Sequence, residues 1–211
     1  MIFKTFSFVL ATLALVTFFP VQTSHAADTS NAALVSAHTD GAQVFIDSVA
    51  SRGINFLSDP ALSPTAQRQA FRALLHDSFD LDTIGRFALG KYWRVATPAE
   101  RAEYQRLFEK MVIGVYAERF GTYDGQKLKT TGTKSASETD TIVNSIIIPK
   151  GGGEKVRVDW RVRKNGSRYR VVDVIVEGVS MSVTQRSDFS AAIQQGGGNV
   201  SALLKHLREM P

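Results

Sequence analysis

Few residues in this sequence have the types and spacing that bond-making chemistry needs. There is no cysteine, which excludes disulfides, thiolate metal sites, cysteine nucleophiles and cysteine-linked lipid anchors. No His-Glu-x-x-His zinc motif, phosphate-binding loop or dinucleotide fingerprint occurs. Gly178-Val179-Ser180-Met181-Ser182 begins as a nucleophile elbow does, but Ser182 stands where the second glycine is required. Outside the leader described below, the histidines are His38, His76 and His206, scattered along the chain. A catalytic triad would have to draw its base from one of these three. Asn165-Gly166-Ser167 and Asn199-Val200-Ser201 match a glycosylation sequon and read as turn and cap chemistry. These residues predict a protein that is not an enzyme, with no cofactor and no metal.

The informative spacing is an alternation. Val156, Val158, Trp160 and Val162 alternate with Arg157, Asp159, Arg161 and Arg163, as in a half-buried strand, and Asn165-Gly166 signals a type I′ hairpin. An Asn-Gly loop sets Val162 opposite Tyr169, Trp160 opposite Val171, Val158 opposite Asp173 and Val156 opposite Ile175, all on one face. The other face carries Arg161 opposite Arg170 and Arg163 opposite Arg168. The apolar face is a candidate wall for an apolar ligand, and it reads equally well as dry core. The arginine face is either a solvated surface or a docking surface for an acidic partner or anionic membrane. Asp173 on the apolar face is either a carboxylate held by helix N–H groups or an arginine, or the rim of a ligand cavity.

The elements that position this hairpin follow from periodicity. Lys4, the uncharged run Phe6 to Phe19 and Ser24-His25-Ala26 make residues 1–26 a secretory signal peptide, its apolar run too short to span a bilayer. Residues 27–39 read as a flexible arm and 40–211 as a single domain. Helices are expected from Gly41 to Leu57, from Ser63-Pro64 through Leu75, and from Asp80 to Gly90. The strongest follows the capping box Thr97-Pro98-Ala99-Glu100 and carries Tyr104, Leu107, Phe108, Met111, Val112, Val115, Tyr116 and Phe120 on one broad face. Four strands then form an antiparallel meander: Leu128 to Lys134, Thr139 to Ile148, the alternating segment, and Arg168 to Glu177. Two short helices close the chain, one capped by Ser187 and one by Asn199. The 25 Lys and Arg against 20 Asp and Glu give a net charge of +5, too thinly spread to imply nucleic acid. A disulfide-free exported chain fits the periplasm.

Three stretches resemble a known family: Ile84-Gly85-Arg86-Phe87-Ala88-Leu89-Gly90-Lys91-Tyr92-Trp93, Ala96-Thr97-Pro98-Ala99-Glu100-Arg101, and Val174-Ile175-Val176-Glu177-Gly178-Val179-Ser180-Met181, with the junction Arg119-Phe120-Gly121-Thr122-Tyr123 between them. The chain resembles the periplasmic phospholipid-binding MlaC, or toluene-tolerance (Ttg2-type), family from about residue 40 to 208. A related branch accompanies hopanoid biosynthesis. The resemblance implies an α+β fold of nuclear transport factor 2 (NTF2-like) shape, with one curved four-stranded antiparallel sheet packed against helices. Lipid tails lie in an apolar cavity between them. It further implies a soluble carrier that moves phospholipid between an outer-membrane lipoprotein–porin complex and an inner-membrane ABC transporter complex, maintaining outer-membrane lipid asymmetry. A lipid-acting enzyme or a pure adaptor on the same fold are the rival readings. With the register above, the tails would line Val158, Trp160, Val162, Tyr169, Val171 and Ile175 of the sheet and Leu107, Met111 and Val115 of the long helix. Arg161, Arg163, Arg168 and Arg170 would face docking partners.

Overall fold

The computed structural model describes residues 29–118 and 120–210; the leader at 1–26 lies outside them. Helix α1 spans Thr29–Ser58. It therefore starts inside the stretch read as an arm, where Ala32, Ala33, Leu34 and Ala37 are strong helix formers. Helix α2, Pro64–Ser78, begins with proline at its first position, and the Ser63 hydroxyl accepts from the Ala66 amide. Helix α3, Leu81–Leu89, is capped by Asp80, whose Oδ1 accepts from the Thr83 amide at 3.0 Å. It stops at Gly90, which takes a positive φ of 58°. A single turn, α4, spans Tyr92–Val95. In α5, Pro98–Ala117, the expected capping box is present: the Thr97 hydroxyl accepts from the Glu100 amide and the Glu100 carboxylate from the Thr97 amide.

The sheet is an antiparallel meander in the order β1 Lys127–Ser135, β2 Asp140–Ile148, β3 Val156–Asn165, β4 Arg168–Val176, β5 Val179–Ser180. It has five strands, not the four expected. Glu177 and Gly178, both at positive φ, turn the chain back so that Ser180 pairs with Ile175. Ser180 then caps α6, Met181–Gln195, seven residues before the expected cap at Ser187; Ser187 instead donates to the Val183 carbonyl within the helix. Helix α7, Val200–Glu209, buries Val200, Leu203, Leu204 and Leu207.

The β3–β4 register departs from the expected one in two ways. The hairpin loop is Gly166-Ser167, closed by Asn165 and Arg168, with Gly166 at φ 60° in the first loop position. This moves each pairing by two residues, which keeps every side chain on its expected face: Val162 lies opposite Val171 and Arg163 opposite Arg170. A bulge at Val172 then inserts one unpaired residue. Beyond it Trp160 faces Val174, Val158 faces Val176, Arg161 faces Asp173 and Asp159 faces Ile175. With a side-chain period of two, one extra residue transfers all later side chains to the opposite face. Asp173 and Ile175 thus leave the apolar face, and Val174 and Val176 replace them.

The interior is divided. One apolar cluster joins α3, α4, α5, α6 and α7, around Tyr104, Leu107, Phe108, Met111, Phe189 and Leu203. A second joins α1 to the sheet through Ala42, Ile46, Val143, Val162 and Val171. A third holds Val49, Phe56 and Leu74 between α1 and α2. Most domains have one contiguous core with small satellites.

Candidate functional site

The helix lying on the apolar sheet face is α1, not α5. It packs across β1, β2 and β3, while α5 packs on α2, α3 and α7. The wide stripe of α5 is used up by the helical cluster, where the Tyr104 hydroxyl donates to the Gly85 carbonyl at 2.9 Å. Burial pushes the pKa of that phenol far above its usual value, so it remains a neutral donor. Helices α3 and α5 can cross this closely because position 85 is glycine: a Cβ there would run into the Gln105 side chain and lie 3.1 Å from Phe108. The narrow stripe Ala42, Ile46 and Val49 on α1 suits a flat sheet surface.

The structure therefore separates the expected tail-lining residues. Leu107 and Met111 are buried in the helical cluster, with Val115 half-buried at its margin. Val162 and Val171 are fully buried under Ala42 and Ile46, and Val158 is 4% exposed. Ile175 lies on the other face, paired with Asp159. Trp160 and Tyr169 are half-buried beside the sheet cluster. Trp160 Nε1 donates to Ser145 Oγ at 3.0 Å, and that hydroxyl donates to the Val158 carbonyl at 2.6 Å. Its ring meets Phe79 edge-on at 6.5 Å.

Phe79 and Phe45 are the residues that join the parts. Both lie half-buried against the sheet cluster and against the α1–α2 cluster. Phe45 stacks on Tyr169 at 6.0 Å. From the α1–α2 side, Phe71 meets Phe120 at 5.1 Å and Tyr116 at 6.3 Å, which reaches α5. The result is a seam of half-buried aromatic rings, Phe45, Phe71, Phe79, Phe120, Trp160 and Tyr169, where the clusters meet. Sequence reasoning missed Phe79, which sits between two periodic segments. Its signal was its place just ahead of the cap Asp80, where an apolar residue sets the entry of the chain into a helix.

At one end of the seam a hollow of about 450 Å³ opens to solvent, lined in part by Phe79. Its hairpin wall carries Arg163, Arg168 and Arg170; its helical wall carries Asp80, Asp82 and Glu109. Arg163 is fixed by a two-pronged contact to Asp140, Nε to Oδ1 at 2.7 Å and Nη2 to Oδ2 at 2.9 Å, and Arg161 lies 3.9 Å from the same carboxylate. The hydrogen bond from Arg163 holds the Asp140 carboxyl below its ordinary pKa. Arg170 Nη1 donates to the carbonyls of His76 and Phe79. So of the four arginines expected to dock partners, Arg161, Arg163 and Arg170 have partners within the chain.

Ser180 is a cap and not an elbow: it donates to Asp173 Oδ2 at 2.6 Å and accepts from the Val183 amide. Asp173 also accepts from the amides of Val174 and Ser182, the helix-held arrangement that sequence left open for it. Among the described residues no His, Cys, Asp and Glu cluster could hold a metal, and no helix is long and apolar enough to cross a membrane. A further group of cations without ion pairs lies elsewhere. Arg86 lies over the Trp93 ring, Lys91 over Tyr92 and Arg186 over Phe87, and none of these, nor exposed Arg94, forms an ion pair among the described residues.

Fold and site together define an α+β protein whose distinctive surfaces are an aromatic seam, a charged hollow at its end and a basic–aromatic face. The chain belongs to the MlaC protein family, whose profile matches residues 47–209. It is 24% identical over 139 residues to the toluene tolerance protein ttg2D of Pseudomonas putida, spanning 65% of this chain and 64% of that one. It is 24% identical over 121 residues to the intermembrane phospholipid transport system binding protein MlaC of Haemophilus influenzae, spanning 56% of each chain. The chain thus aligns to less than two thirds of the length of both relatives. Its fold matches that of a phospholipid-binding protein from Ralstonia solanacearum, solved in complex with a phospholipid, with TM-score 0.68, 26% identity, 80% of this chain covered and 95% of that one.

Proposed function

We propose that the mature protein is a soluble periplasmic phospholipid carrier, with acyl tails lying along the aromatic seam between the sheet–α1 cluster and the α1–α2 cluster. The observation that carries this is the divided interior. Rings at the join are half-buried on both sides, whereas a protein built only for stability would close one core around them. Trp160 and Tyr169 of the expected lining belong to the seam; Phe45, Phe71, Phe79 and Phe120 complete it. Relatives named for phospholipid binding and intermembrane phospholipid transport support the same reading.

The energetics need no catalysis. A diacyl lipid has on the order of 30 methylenes, each worth about 0.8 kcal/mol on leaving water. Release into water is therefore forbidden, while exchange between a bilayer and an apolar seam is nearly neutral. The carrier shuttles between an inner-membrane ABC transporter complex and an outer-membrane lipoprotein–porin complex and so maintains lipid asymmetry. It docks through the face that holds Arg86, Lys91, Arg94 and Arg186, where free cations suit an acidic partner. Native mass spectrometry of protein exported in cells tests the reading. A chain beginning near Ala27 with phospholipid retained is expected. A lipid-free chain overturns the carrier, and hydrolysis of the lipid on incubation makes it an enzyme.

A further inference from the structure

We infer that the Ser78 hydroxyl is a lipid-binding group. It donates a hydrogen bond to an acyl-ester carbonyl of the bound lipid, where a tail leaves the aromatic seam for the open hollow, and so selects ester-linked diacyl lipids over their ether-linked counterparts. The inference rests on the carrier reading and deepens it by naming the linkage that is recognised; it assigns no preference to the headgroup. Ser78 is 1% exposed, and its Oγ has no hydrogen-bond partner among the described residues. Buried hydroxyls are normally paired, and one left unpaired carries a desolvation cost. A helical serine has an acceptor close at hand in the carbonyl three or four residues back. Ser51, Thr184 and Ser187 of this chain each donate to the carbonyl four residues earlier. Ser78, buried where they are exposed or half-buried, does not.

Its position fits this role. Phe71, Leu74, Leu75 and Ser78 recur at helical spacing along α2, and the last three are buried. Phe71 and Leu74 belong to the α1–α2 cluster that borders the seam. His76 and Phe79, which flank Ser78 in the chain, both line the hollow, and the Phe79 ring meets Trp160 of the seam. The backbone around Ser78 is held from several directions. Arg170 Nη1 donates to the carbonyls of His76 at 2.7 Å and Phe79 at 2.9 Å, the Phe79 amide donates to the Leu75 carbonyl, and the Asp80 amide donates to the Val171 carbonyl at 2.9 Å. A donor fixed in this way needs little ordering when an acceptor arrives. Between its tails and its phosphate a diacyl lipid carries one kind of acceptor at the head of each chain, the ester carbonyl. Tails in the seam and the phosphate in the hollow bring that carbonyl to the boundary where Ser78 stands. A buried water is the poorer occupant, because it needs about three polar partners and the rest of the stripe is apolar. Thr141 supplies the internal control. Its Oγ1 is also buried without a partner, but it pairs with Val162 of the sheet–α1 cluster, and neither residue lines the hollow.

The test unfolds the mature protein in guanidinium chloride and refolds it with equal amounts of dioleoyl phosphatidylcholine and its dialkyl ether analogue in mild detergent. Bound lipid is then extracted and counted by mass spectrometry. The two lipids share headgroup and chain length, so only the ester carbonyls differ. The native chain should retain the ester over the ether by about two- to tenfold, the worth of one hydrogen bond. Ser78→Ala should bring the ratio near unity, and Thr141→Val should leave it as in the native chain. Lipid-free Ser78→Ala should melt no lower than the lipid-free native chain, because it loses only an unpaired buried hydroxyl. A drop of several degrees there means that the hydroxyl holds the fold, and overturns the inference. No preference in the native chain, a preference kept by Ser78→Ala, or an equal loss with Thr141→Val overturns the ester contact while leaving the carrier standing. No lipid of either kind in the native chain overturns the carrier itself.

Discussion

Trp160 and Val143 face each other across the β2–β3 ladder, yet they belong to different environments, and truncating each separates a seam from a core. Trp160→Ala loses the edge-on contact with Phe79, about 1 kcal/mol beyond area, and the hydrogen bond to Ser145, about 1 kcal/mol more. Ser145 keeps its bond to the Val158 carbonyl, so no buried hydroxyl is orphaned as a donor. Because the indole is half-buried, the total stays at about 2–3 kcal/mol, below the roughly 3–5 of a fully packed aromatic. Val143 is fully buried against α1. Val143→Ala removes two methyl groups and leaves a small void, again about 2–3 kcal/mol. At about 2–4 °C per kcal/mol for a chain of this size, both variants should lose about 5–10 °C in Tm. They should differ in cargo: Trp160→Ala co-purifies with well under half the native phospholipid, and Val143→Ala with nearly all of it. Differential scanning calorimetry and lipid phosphorus analysis on the same preparations give both readings. Equal lipid content in the two variants would refute the assignment of tails to the aromatic seam.

Gly85→Val should destabilise by about 1–3 kcal/mol through overpacking against Gln105 and Phe108, seen as a lower Tm; an unchanged Tm refutes the close α3–α5 crossing. The depressed pKa of Asp140 means that its contribution is present at neutral pH and is lost as pH falls through that lowered value, in the range below about 4. Urea unfolding of the native chain and Asp140→Asn should therefore differ at pH 7 and converge at the acid end, and a gap of the same size at both ends contradicts the Arg163 contact as its source. Charge reversal of Arg86 together with Arg94 should weaken association with the membrane partner complexes at low salt, by about tenfold, with the difference fading at high salt and lipid content unaffected. Binding indifferent to both substitutions at low salt removes the docking role of this face.

Much of the local architecture was legible in the residue order because its causes are local. The Thr97–Glu100 box, the Ser63-Pro64 and Asp80 starts, the Gly90 stop and the strand alternation depend on neighbours a few residues apart. Family-like stretches also carried the binding class; within them Gly90 and Gly178 take a positive φ, and Gly85 leaves room for the Gln105 and Phe108 side chains. Tertiary structure alone decided which apolar faces meet. The stripes of α1 and α5 are both amphipathic, and nothing in either states that α1 covers the sheet while α5 closes with α3, α6 and α7. The bulge at Val172 is of the same kind. Val171-Val172-Asp173-Val174 offers a valine in either phase, so sequence permits two registers, and the contacts of Asp173 with Ser180 and Ser182 favour the one that sends Asp173 and Ile175 to the far face. The same holds for the arginines. Their alternation was plain, but whether a guanidinium meets Asp140, a carbonyl or an open hollow depends on distances between segments far apart in the chain.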